Sequence, residues 1–154
     1  MEAKLRLLSY SLPAALRGEE IQRILRSLLC ALEDYTVDER GDVGSWIRVS
    51  ALHGIGSISY DLFEEPSIRS TLLEQCLPPE LYFEAFAAML KQGSERLDAV
   101  RQEAGAQITS LIAFHSKFAA ADTPFARWHP PGFDRLSAAF LGFAFSSGRC
   151  RRLN

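Results

Sequence analysis

The chain has 154 residues, 47% apolar and 23% charged, which suits one domain able to bury a core and excludes a disordered composition. A formal net charge of −2 provides no general attraction to nucleic acid or to an anionic membrane surface. Cys30, Cys76 and Cys150 are odd in number and far apart, so a disulfide framework is not expected and a reducing, cytosolic compartment is the simpler reading.

At the start, Glu2, Lys4, Arg6 and Pro13 interrupt any secretory core within Met1 to Leu16. Ile21, Ile24, Leu25, Leu28, Leu29 and Leu32 then recur with the helical period, which predicts a helix ending near Tyr35. A charged turn follows. Gly41 allows the backbone angles of a sharp turn, and Asp42 is placed to accept hydrogen bonds from the free N–H groups opening the next helix. That helix is predicted to carry Val43, Trp46, Ile47, Ala51, Ile55 and Ile58 on its inner face. Glu65-Pro66 closes it and starts a short helix with Ile68, Leu72 and Leu73, since Pro fits a first helical turn. Pro78-Pro79 interrupts again, and a helix over Glu80 to Lys91 presents Leu81, Ala85, Phe86, Met89 and Leu90.

After a break at Gly93-Ser94, Leu97, Val100, Ala104, Ile108, Leu111 and Ile112 form the inner stripe of the longest periodic segment. Residues Ala119 to Gly132 hold Pro124, Pro130 and Pro131 and read as an ordered loop or linker. A last apolar helix is expected over Phe133 to Phe145, and its longest apolar run, Leu136 to Phe145, is too short to span a bilayer. Arg149, Arg151 and Arg152 make a basic tail that reads as a solvated terminus. No segment alternates as a strand, so the expected fold is all-α.

An internal repeat refines this. Ile47-Arg48-Val49-Ser50-Ala51 aligns with Val100-Arg101-Gln102-Glu103-Ala104, and Ile55 then falls opposite Ile108. The period exceeds the roughly 40–47 residues of a usual HEAT unit, and the additional short helix between Pro66 and Leu77 accounts for the excess. The expected organisation is HEAT-like helical repeats over 1–118 (an α-solenoid segment), a Pro-containing linker over 119–132, and a terminal helix and basic tail over 133–154. Leu141, Phe143 and Phe145 leave little polar surface for a capping helix, which points to a segment of a longer solenoid.

Catalytic and metal chemistry find no support. His53, His115 and His129 lie far apart, without a Cys or acid at ligand spacing across a helical turn. Gly54, Gly56 and Gly142 do not build a phosphate-cradling loop, and Glu19-Glu20 and Glu64-Glu65 read as solvated helix ends. No catalytic residue, cofactor or metal is expected. Arg40-Gly41-Asp42 spells an integrin-binding tripeptide, but no secretory or disulfide signal supports that role. Six residues remain as candidates for partner binding or contact between repeats: Asp38, Arg40, Asp42, Trp46, Arg48 and Arg101. Trp46 is expected to pack at the helix start, with an exposed partner anchor as the alternative. Arg48 and Arg101 are expected to pair with turn aspartates in a ladder, with an acidic partner surface as the alternative. Asp38, Arg40 and Asp42 divide between a solvated cap and a contact.

Asp42 followed by Ile47 and Arg48 has the spacing of the second helix of a HEAT repeat, and the full order Asp34-Tyr35-Thr36-x-Asp38-x-Arg40-Gly41-Asp42-Val43-Gly44-x-Trp46-x-Arg48 resembles the C-terminal region of the tubulin-folding cofactor D family. The resemblance is strongest from Leu29 to Ile55. It continues through the Gly93-to-Asp98 turn, the Arg101-to-Ile112 helix and His115, and then through Trp128, Pro131, Phe133 and Arg135 at shifted gaps. It implies a non-enzymatic cytoplasmic chaperone, with cytoskeletal association. Members capture β-tubulin after the chaperonin and join it to α-tubulin with other tubulin-folding cofactors. The assembly stimulates GTP hydrolysis by tubulin, and the family also engages an Arf-like small GTPase. A helical-repeat adaptor unrelated to tubulin is the alternative, and would not need the Asp34–Arg48 order.

Overall fold

The computed structural model describes residues 18–64, 70–118, 124–130, 132–136 and 138. Helix α1 spans Gly18–Ala31 and carries Glu19 and Glu20 in its first turn, where carboxylates favour the positive end of the helix dipole. A two-residue ladder joins β1, Val37–Asp38, to β2, Gly41–Asp42, antiparallel with Val37 opposite Asp42 and Asp38 opposite Gly41. Then come α2 (Gly44–Glu64), α3 (Ser70–Cys76), α4 (Pro79–Gln92), α5 (Asp98–Phe118) and a 3₁₀ turn over Pro124–Trp128. Pro79 occupies the first turn of α4, where its missing N–H costs nothing. Residues 133–136 are helical.

Two helical hairpins result. In the first, Leu28 of α1 faces Gly54 of α2, while the Asp34 carbonyl beyond α1 receives Arg48 near the start of α2. The helices therefore run antiparallel. In the second, Tyr82 of α4 meets His115 late in α5, and Gly93 after α4 lies near Ala104 early in it. The hairpins stack with like against like: His53 reaches Glu103, Gly56 approaches Gln107, and Tyr60 and Phe63 pack on Phe114. Helix α2 thus lies parallel to α5. Likewise α1 lies along α3 and α4, with Gln22 bonded to the Gln75 carbonyl and Gln92 to the Leu32 carbonyl. Equivalent helices side by side are the mark of a solenoid, so the chain is an all-α helical repeat segment with the repeat placed where Ile55 and Ile108 align. Ala51, Ile55, Ala104 and Ile108 are all buried in the shared core.

Several expectations are corrected. Helix α1 ends at Ala31 and not at Tyr35, because the chain turns early to form the ladder. That ladder lies where no strand was expected. Trp46 and Ile47 do not face inward: they are 64% and 45% exposed. The buried side of α2 is instead Arg48, Ala51, Leu52, Ile55, Gly56, Ser59, Leu62 and Phe63, because α2 is covered by α1 on one side and α5 on the other. Leu97 precedes α5 and is half-exposed, whereas Val100, Ala104, Ile108, Leu111 and Ile112 are buried as predicted. Pro66, Ile68, Pro131, Cys150, the first residues, most of the Phe133–Phe145 segment and the basic tail lie outside the described residues. Among the described residues, no helix is long and apolar enough to cross a membrane.

Candidate functional site

The ladder between α1 and α2 is built by its own side chains. The Asp34 carboxylate accepts the Thr36 N–H at 2.9 Å, and the Thr36 carbonyl accepts the Gly44 N–H at 3.0 Å. A Cβ on Gly44 would press on the Asp34 and Thr36 backbone, 2.8 Å from Thr36 N, so this close approach requires glycine. Gly41 adopts φ 109°, a conformation that side-chain-bearing residues rarely take. Asp42 caps α2: its Oδ1 accepts the Ser45 N–H at 2.9 Å, and Ser45 Oγ donates back to the Asp42 carbonyl at 2.6 Å.

Arg48 organises the base of this turn. It is fully buried, donates to the Asp34 carbonyl at 2.5 Å, and grips Asp42 through both terminal nitrogens at 2.9 and 3.3 Å. Its guanidinium lies 4.3 Å from the centre of the Tyr35 ring. Burial alone would lower the Arg48 pKa, but the Asp42 carboxylate outweighs it and the group is raised. Hydrogen bonding from Arg48 in turn holds Asp42 below the ordinary carboxylate range. Asp42 therefore serves as helix cap and counter-ion at once.

At the tip, Asp38 accepts the Arg40 N–H at 2.8 Å and its side chain at 2.6 and 2.9 Å, which lowers the Asp38 pKa. The same guanidinium sits 5.6 Å from the centre of the Trp46 ring. The expected packing of Trp46 at the helix start is overturned, since the indole is mostly in solvent beneath a single exposed arginine. Arg101 belongs elsewhere. It donates to the Glu95 and Arg96 carbonyls at 3.0 and 3.4 Å and pairs with Asp98, closing its own turn before α5. Five of the six candidates therefore gather at one turn, and the sixth holds the neighbouring one.

Residues outside that set connect the turns. The Tyr35 hydroxyl donates to Glu95 at 2.8 Å, and buried Gln92 donates to the Leu32 carbonyl at 3.0 Å. Lys91 reaches both Glu33 oxygens at 2.8 and 2.9 Å. Tyr35 carried a signal, as it stands inside the distinctive turn sequence; Gln92 carried none, because a glutamine in an apolar helix has no local mark of its partner.

Of the groups with nucleophilic or acid–base chemistry, His115 and His129, far apart in the sequence, come together in the fold with ring centroids 5.1 Å apart. Cys30 is exposed and Cys76 buried, and burial pushes the Cys76 thiol up, opposite to what an active thiolate needs. His115 is buried, shares a 2.8 Å hydrogen bond with the Tyr82 hydroxyl, and packs its ring against His129. Burial, with a smaller effect of His129, takes its pKa down to about 3, so it is neutral in the folded chain. Among the described residues, no group of three or more His, Cys, Asp and Glu side chains is placed to hold a metal ion.

Comparison with known families adds one match. Residues 84–146 fit the family model described as tubulin folding cofactor D C terminal. The match takes in most of α4, all of α5 and the Trp128 segment, less than half of the 154-residue chain, and leaves the α1–α2 turn outside it. It supports the resemblance to the C-terminal region of tubulin folding cofactor D and, with it, a tubulin-folding cofactor role. No solved structure matches the chain.

Proposed function

We propose that this chain is a non-enzymatic tubulin chaperone segment that binds β-tubulin or a partner cofactor during assembly of the αβ heterodimer. The observation that carries the reading is the cofactor D match over the second hairpin, in a chain whose hairpins stack as a solenoid. A stack of rigid helices suits this work because it offers a broad surface at little ordering cost on binding. Other tubulin-folding cofactors and an Arf-like small GTPase are further partners in this reading. Stimulated GTP hydrolysis belongs to the assembly, with the catalytic groups on tubulin. The location is the cytoplasm, beside the cytoskeleton.

Within the segment, Asp42, Arg48 and Arg101 hold the turns together, and Asp38, Arg40 and Trp46 face a partner. The test is capture of purified β-tubulin and αβ-tubulin by the purified chain, with circular dichroism melting of the same sample. Capture by a cooperatively melting helical chain is the expected result. A chain that melts cooperatively and captures neither would overturn tubulin recognition and favour a helical adaptor of another kind.

A further inference from the structure

The exposed apolar side chains of this protein are not spread evenly. Val37, Trp46 and Ile47 are 69%, 64% and 45% exposed, the highest values among the large exposed hydrophobic residues described, and all three lie at the α1–α2 turn. Tyr35, at the same turn, is 43% exposed, and Leu97, 38% exposed, belongs to the α4–α5 turn that the Tyr35–Glu95 hydrogen bond joins to it. Single exposed apolar residues are ordinary, but several gathered at one edge mark an interaction surface.

The surface is also held in shape. Arg48 fixes the base through Asp34 and Asp42, the ladder fixes Val37, and Arg40, clamped by Asp38, covers one side of Trp46. An aromatic anchor held in place before contact loses little entropy on binding, which is the property of a hot spot.

The charges at this end select the partner. Lys91–Glu33, Arg40–Asp38, Arg48–Asp42 and Arg101–Asp98 neutralise one another in pairs. The carboxylates of Asp34, Glu39 and Glu95 remain, against the single guanidinium of Arg96. Asp34 and Glu95 accept hydrogen bonds from the neutral Thr36 N–H and Tyr35 hydroxyl and both feel the Arg48 guanidinium, yet the seven carboxylates at this end outnumber its five cations by two.

We propose that the α1–α2 turn is a docking surface for an apolar, lysine- or arginine-bearing segment of a partner protein, which seats on Val37, Trp46 and Ile47 against the Asp34, Glu39 and Glu95 carboxylates. The proposal rests on the reading of this chain as a partner-binding chaperone segment, and it adds the surface and the chemistry of what is bound.

The two tryptophans provide the assay. Trp46 is exposed and Trp128 is 1% exposed, donating to the Leu77 carbonyl at 2.7 Å, so iodide quenches Trp46 alone. A tryptophan-free leucine–lysine peptide should lower the quenchable fraction, and its leucine–glutamate counterpart should not. Trp46→Ala should weaken the basic peptide about tenfold. Glu39→Lys should weaken it about fivefold at low salt, with the difference fading as salt is raised. Both sites are exposed, and unchanged melting confirms that the fold is retained.

The same variants in the tubulin capture separate the two readings. Tubulin bound equally well by wild type, Trp46→Ala and Val37→Ser would overturn this surface and leave the chaperone reading intact. A basic peptide bound in a Trp46-dependent way by a chain that ignores tubulin would support the surface and sink the tubulin assignment. Equal binding of both peptides would overturn the charge selection. Trp46 shielded from iodide in the free monomer would show that the chain covers the surface itself. Sedimentation showing a dimer that Trp46→Ala abolishes would make it a self-interface. Either of the last two overturns the proposal.

Discussion

Arg48 and Arg101 occupy the same position in two aligned helices, yet one is fully buried and the other has a side chain 47% exposed. The difference lies in the turns that precede them. Before α2 the chain has room for a ladder, and this folds Tyr35, Asp34 and Asp42 around the guanidinium. Before α5 the turn is shorter, and Arg101 meets only two carbonyls and the exposed Asp98. A repeated arginine therefore does not have a repeated energetic role. The length of its turn decides whether it is a keystone or a surface clasp.

The largest expected effect separates the two arginines. Arg48→Ala removes a buried charge from two hydrogen-bonded partners and empties space under Tyr35, and should destabilise the fold by about 3 kcal/mol in urea unfolding. Arg101→Ala breaks an exposed pair and should stay within about 0.5 kcal/mol. Similar losses in both variants would erase the distinction between the turns. Arg48→Lys sharpens it, since an ammonium keeps the charge but cannot span Asp34 and both Asp42 oxygens, and should recover only part of the loss.

What the sequence disclosed follows the same division. The inner stripe of α5 was legible from Val100 to Ile112, because its apolar residues recur regularly on the packed side. The stripe of α2 was misplaced because that helix is packed by both α1 and α5, which leaves apolar spacing a poor guide to orientation. Trp46 and Ile47 fall on the face that helical spacing assigns to the core, but both lie at a helix start that the stack leaves uncovered. The cap at Asp42 was legible because it is local, made within three residues. The Tyr35–Glu95 and Gln92–Leu32 bonds were not, since each joins groups 60 residues apart.

The first hairpin has a buried ion pair at its turn and the second a buried polar pair, Tyr82 and His115, at the end away from its turn, and pH distinguishes them. His115 has its folded pKa depressed from an ordinary 6.5 to about 3, by burial first and then by His129. Below about pH 6.5 the unfolded chain takes up a proton that the folded chain refuses, so stability is full above that pH and falls as pH drops toward 3. The slope is about 1.4 kcal/mol per pH unit, or about 2 kcal/mol lost between pH 7 and 5. Asp42, held below the carboxylate range, should keep the first turn closed across that interval. Urea unfolding at each pH checks this, and a profile that His115→Phe leaves just as steep would assign the acid sensitivity elsewhere.

The smallest effects compare the contact within a hairpin with the contact between hairpins. Gly54 and Gly56 sit two residues apart on α2, one toward α1 and the other toward α5. An alanine methyl at Gly54 would meet a Leu28 methyl at 3.0 Å, the far end of a flexible side chain that can give way. An alanine methyl at Gly56 would run into Gln107 along its length, 2.8 Å from its Cβ, which cannot move without α5. Glycine-to-alanine in a helix is otherwise favourable by about 1 kcal/mol. Gly54→Ala should therefore lie between neutral and slightly stabilising, whereas Gly56→Ala should cost about 1 kcal/mol as the hairpins are pushed apart. If both variants were stabilised alike, the parallel packing of α2 on α5 would be looser than the close approach at Gly56 requires.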